Sequence, residues 1–99
     1  MKLLLITSIA EYSDEVKQIL KKARVKTYSY RNVIGYRNTA DEALESNWFG
    51  GEMYENDSIL FYAFVPKENT DVICDAVAAF NARQETLSHI HVALSLIHI

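Results

Sequence analysis

Two histidines spaced two apart, His89 and His91, are the residues of this chain whose spacing most resembles a chemical site. Side chains on a strand alternate between faces, so both imidazoles share one side and can hold a divalent metal when a third ligand approaches. The commoner role of such a pair is that of ordinary polar partners on a solvated or interface face. Cys74 is the single thiol; it stands between Asp71 and Asp75, whose charges raise a thiol pKa and leave it inert. Ser8 and Ser13 have no orienting acid, elbow or oxyanion motif beside them, so a serine nucleophile is not supported. Trp48, Phe49, Gly50 and Gly51 combine aromatic anchors with backbone freedom, the chemistry of a protein-docking tip. Packing of Trp48 against a neighbouring subunit is the competing reading.

Placing these groups requires a scaffold, and hydropathy supplies one. Lys2 to Thr7 is a short apolar run that reads as a strand buried on both faces. A helix follows, capped by Ser13, with Asp14 and Glu15 in its first turn and Val16, Ile19, Leu20 and Ala23 on one stripe. Lys21, Lys22, Arg24 and Lys26 cluster at its end, where cations offset the helix dipole. From Val25 to Tyr36 the period changes to two, with Tyr28, Tyr30, Asn32, Ile34 and Tyr36 on one side. Residues 38–58 are polar and acidic, and a connection this long in a small chain is usually functional. Ile59 to Val65 is a strand with apolar or aromatic groups on both sides, closed by Pro66. Asn69 or Thr70 is expected to cap a second helix whose stripe is Ile73, Ala76, Val77 and Phe80 and which stops near Arg83 or Gln84. Ser88 to Ile99 alternates again, with Ile90, Val92, Leu94 and Leu96 opposite His89, His91 and Ala93.

The order β-α-β-loop-β-α-β predicts an α+β, ferredoxin-like domain spanning residues 1–99, with a four-stranded antiparallel sheet and both helices on one face. Two helices cannot cover both sides of Ile59 to Val65. At about 25 cal/mol per Å², burying a few hundred Å² of the uncovered side favours association, so a homo-oligomer is expected, with function between its subunits.

Bulk properties narrow the classes. Ninety-nine residues with 49% hydrophobic content suit one core. The net charge of −3 gives no general basis for nucleic-acid binding. One cysteine excludes an internal disulfide framework and a multi-cysteine zinc site. The opening Met1-Lys2-Leu3-Leu4-Leu5-Ile6 is too short for a signal segment, and no run is long enough to span a bilayer. The expectation is a soluble cytoplasmic protein without direct membrane insertion.

Asp14 to Lys17, Val25-Lys26 and Asn32-Val33-Ile34-Gly35-Tyr36-Arg37 resemble the first helix and second strand of PII signal-transduction proteins, which end in a Val-x-Gly-aromatic pattern before a long loop. Ile59 to Ala79, hinged at Val65-Pro66, is similar to that family's third strand and second helix. The resemblance implies a non-enzymatic homotrimer that binds a small effector in inter-subunit clefts and signals through the 38–58 loop to a protein target such as a membrane transporter or an enzyme. It also implies that Ser29, Gly35, Val65 and His89 line the cleft, where Arg37 can grip an anion or fill space; Arg31 lies nearby.

The family's Gly- and Lys-rich phosphate-cradling run has no counterpart in Gln84-Glu85-Thr86-Leu87-Ser88, and the C-terminal Arg-x-Arg is absent. A phosphate cradle needs close backbone approach and fixed positive charge, so ordinary nucleotide sensing is not expected. Trp48-Phe49-Gly50-Gly51 also resembles the hairpin of the CutA divalent-cation tolerance proteins. That second resemblance implies divalent-metal binding through His89, His91 and carboxylates such as Glu52 and Glu55.

Overall fold

The computed structural model describes residues 1–36, 55–84 and 88–95. Apolar runs and β-branched residues form four strands, β1 (Lys2–Ile9), β2 (Ser29–Tyr36), β3 (Glu55–Val65) and β4 (His91–Leu94). Two helices, α1 (Ser13–Lys22) and α2 (Lys67–Arg83), alternate with them. The sheet order is β2-β3-β1-β4, and every neighbouring pair is antiparallel. This is the expected ferredoxin-like α+β arrangement.

Register decides which residues share a face. Leu4 lies opposite Ala63 and Leu94, and Ile6 opposite Phe61 and Val92. That face packs on the helix stripes Val16, Ile19, Leu20 and Ile73, Val77, Phe80. Ile6 is 0% exposed and Phe61 1%. Tyr28 and Tyr30 extend the core toward the β2 edge, with ring centroids 5.8 Å and 5.2 Å from Phe61. Tyr12 meets Phe80 edge-on at 5.0 Å, a favoured aromatic geometry.

One residue out of phase, the same strands present a different surface. Leu5, Tyr62 and Phe64 are 37%, 41% and 55% exposed on the face away from the helices. Leu3 and Leu60 share that face and are half-buried. Large apolar groups side by side on one open face are the observation expected of a surface that another chain covers.

Several local details differ from the sequence expectations. Ser13 is the first residue of α1 and not its cap. A 3₁₀ turn, Ala10–Tyr12, feeds straight into the helix, so Ser13 already has helical dihedrals and Tyr12 holds the cap position. Strand β2 starts at Ser29, after a turn at Arg24 and irregular residues 25–28, and β3 reaches back to Glu55, into the segment expected to be loop. Neither Asn69 nor Thr70 caps α2, which begins at Lys67 behind Pro66. Proline fixes φ ahead of the first turn, and the Thr70 hydroxyl instead donates back to the Lys67 carbonyl at 2.7 Å.

Strand β4 begins at His91 and not at Ser88, and residues 96–99 of the predicted alternation lie outside the described residues. The described ladder adds one more pairing through Ser95, whose N–H donates to the Leu3 carbonyl and whose Oγ accepts from the Leu3 N–H, each at 3.0 Å. Its start is clamped by Asn81 of α2, which accepts from the Ile90 N–H at 2.8 Å and donates to the Ile90 carbonyl at 2.9 Å. That two-point grip places Ile90 in the core and leaves His89 ahead of the strand.

Candidate functional site

The edges of the sheet carry the residues singled out in the sequence. Ser29 opens β2 opposite Tyr62 and is exposed on the open face. Gly35 lies near the end of the same strand, buried, opposite Asn56. His89 precedes β4 at the other edge. Strands β3 and β1 separate the two edges, three inter-strand spacings or about 14 Å. Val65 ends β3 on the helix-covered face and is 0% exposed, so its side chain has no free surface to offer. Within one chain, then, Ser29 and His89 do not converge. Arg37, Trp48, Phe49, Gly50, Gly51 and Glu52 lie outside the described residues, as does His98.

One row of the open face does bring several of the sequence's polar residues into line. Arg31 stands opposite Leu60, Leu60 opposite Thr7 and Thr7 opposite His91, so a guanidinium and an imidazole end the same cross-sheet row. Beside Arg31, along the β2 edge, is a concavity of about 740 Å³ lined also by Ala10, Asn32, Val33, Ile34 and Asp57. Among the described residues it joins one cation, one carboxylate and one amide to apolar walls, the mixture that orients a small polar ligand. Asp57 was hidden from sequence reading because it falls in a stretch that looks like loop. Its opposition to Ile34 across the β2–β3 ladder is what brings it to this edge.

His89 and His91 are close enough to interact. Burial first, and then the charge of His89, hold the His91 pKa below the usual histidine range. A neutral imidazole is the form that ligates a metal, but no cluster of three His, Cys, Asp or Glu side chains forms among the described residues. At Cys74 burial is the largest cause raising the thiol pKa, followed by Asp71 and then Asp75. The direction is the one read from sequence, though the leading cause is desolvation and not charge. A thiol held in its protonated form is a poor nucleophile. No helix among the described residues is long and apolar enough to cross a membrane.

Neither a protein-family model nor a curated protein sequence matches the chain. Solved structures do resemble it. CPII, a nitrogen regulatory PII-like protein from Thiomonas intermedia K12 bound to ADP, AMP and bicarbonate, superposes with a TM-score of 0.61 at 17% identity, over 99% of this chain and 94% of that one. The same protein bound to ADP and bicarbonate gives 0.61 at 18%, and bound to ADP, AMP and acetate 0.59 at 18%, each over 95% of this chain and 86% of that one. At such identity the likeness is one of fold: this chain has the fold of a PII-like protein.

Proposed function

We propose that this chain is a non-enzymatic regulator of the PII-like kind. It is a homotrimer that binds a small effector in clefts between subunits and passes the state of the cleft to a partner protein through residues 38–58. The observation that carries the reading is the open sheet face. Leu5, Tyr62 and Phe64 are exposed there on a fold shared with CPII, whose structures hold small anions and nucleotides. Ser29 and Gly35 on one edge and His89 on the other lie too far apart to meet in one chain, and apposition of neighbouring edges in a trimer is what would unite them with Arg37.

The effector class follows from charge. Gln84 to Ser88 contains no glycine and no lysine, so an extended phosphate tail finds no fixed positive charge there. A compact anion such as bicarbonate, or AMP with its single phosphate, suits Arg37 better than ADP. Signalling then requires that the effector bind one arrangement of residues 38–58 more tightly than another.

Thermal unfolding of the purified protein with bicarbonate, AMP, ADP and ATP tests this directly, since a ligand that prefers the folded state raises the midpoint. AMP or bicarbonate should raise it in the wild type, and Arg37→Ala should abolish the rise. No response to any of the four would remove the effector from the account.

A further inference from the structure

We infer that the flank of α1 holds a second ligand site, complete within one chain, that takes a small oligophosphate anion. Its described lining comes from a single chain, from α1 and the turn that leads into β2.

The site is a concavity of about 650 Å³ lined by Lys17, Gln18, Lys21, Arg24, Val25, Lys26 and Tyr28. That volume lies within the range of small-molecule sites. Among the described residues that line it, four are cationic and none is acidic, in a chain whose net charge is −3. Clustering four cations in one hollow is unfavourable unless something of opposite charge offsets it, and a concave surface focuses the resulting potential.

Helix-dipole compensation accounts for only part of the cluster. Lys21 and Lys22 occupy the last turn, where that effect operates. Lys17 is a full turn earlier, with its ammonium 4.8 Å from the centre of the Tyr30 ring, and Arg24 and Lys26 lie beyond the helix. Nor are the Arg24 and Lys26 side chains needed to satisfy the helix end. The backbone already does so: Ala23 N–H donates to the Ile19 carbonyl, Arg24 N–H to that of Lys21 and Val25 N–H to that of Leu20, each at 3.0 Å.

Arg24 is also unusual in its backbone. It has φ of 65° and is the sole non-glycine residue with positive φ among the described residues. The turn it makes, with crossed bonds from Val25 to Leu20 and from Arg24 to Lys21, is the helix ending in which glycine normally stands. A side chain here is kept against a steric cost, and residues held in such conformations concentrate at ligand clamps and other functional sites. Arg24 lines the hollow, where its planar, permanently charged fork can pair two oxygens of a phosphate. Lys17, Lys21 and Lys26 add point charges, and Val25 and Tyr28 add apolar surface to the lining.

The decisive variant is Arg24→Gly, because it removes the charge while supplying the residue the turn favours. Isothermal titration and amide chemical-shift mapping with inorganic tripolyphosphate, at low salt, provide the readout. Wild type should bind with shifts confined to residues 17–28. Arg24→Gly should melt at a higher temperature yet bind at least about fivefold more weakly, and Lys21→Ala combined with Lys26→Ala should weaken binding similarly without loss of fold. A purely structural role for Arg24 cannot give higher stability with weaker binding. Unchanged affinity in Arg24→Gly would overturn the proposal, as would no binding by the wild type. Shifts centred on Gly35 and His89 would also overturn it and would credit the inter-subunit cleft instead. Tighter binding of a glutamate-rich peptide than of tripolyphosphate would overturn it in favour of a protein partner.

Discussion

The two faces of the sheet use the same strands and nearly the same residue types, but their fates differ. Leu4, Ile6 and Phe61 are sealed under α1 and α2, whereas Leu5, Tyr62 and Phe64, one residue out of phase, remain in contact with solvent. Alternation makes this unavoidable in any strand apolar on both sides when helices cover only one of them. What differs is therefore the partner and not the composition. The covered face is completed by the chain itself, and the open face is completed, on our account, by further copies. The β2 edge shows how far the helices reach: Ile34 is in phase with the covered face but is 71% exposed.

The comparison is broken most severely from the covered side. Phe61→Ala removes a ring that touches both Tyr28 and Tyr30, and the loss of transfer energy plus the cavity should cost about 3–5 kcal/mol. Urea unfolding should show a chain that is largely unfolded or barely stable; a cost below about 1 kcal/mol would mean that Phe61 is not the centre of this core.

A smaller loss should follow Asn81→Ala. That change leaves the Ile90 N–H and carbonyl without their clamp, at a cost of about 1–3 kcal/mol for the unsatisfied groups. Hydrogen exchange would locate the damage, with β4 losing protection while the β2–β3 ladder keeps it. Uniform loss across the sheet would show that the clamp is not local to β4.

The pH response sharpens the comparison at His91, which lies on the open face opposite Thr7. Its pKa is depressed in the folded chain by burial and then by His89, so the unfolded chain takes up a proton there more readily. The associated stability is present above the unfolded histidine value, about 6.5, and is lost as pH falls through the lower folded value. Urea unfolding at about pH 7 and about pH 5 should show a decline that His91→Gln reduces. An equal decline in that variant would assign the effect to other groups.

Much of the scaffold was readable because it rests on local rules. The α1 stripe of Val16, Ile19, Leu20 and Ala23 is buried as its spacing requires, and the four strands and two helices follow in the expected order. Helix starts were harder, since Ser13 and Thr70 carry capping side chains but the deciding features were a preceding 3₁₀ turn and a proline. The start of β4 is set by the grip of Asn81 on Ile90, 9 residues away, a contact with no periodic signature. Of the candidate site, the face shared by Arg31 and His91 needed the strand register, and Asp57 needed a strand longer than its apolar part. Ser29 and His89 could be picked out from sequence only by resemblance, because they belong to opposite edges of the sheet in one chain.

Oligomeric mass tests the central claim most directly. Sedimentation equilibrium of the wild type at micromolar concentration should give three times the 11.3 kDa chain mass. Tyr62→Glu combined with Phe64→Lys, which puts charge on the open face without touching the core, should sediment as a folded single chain. A wild-type protein that remains a stable monomer, with Tyr62 and Phe64 exposed to solvent, would contradict the account.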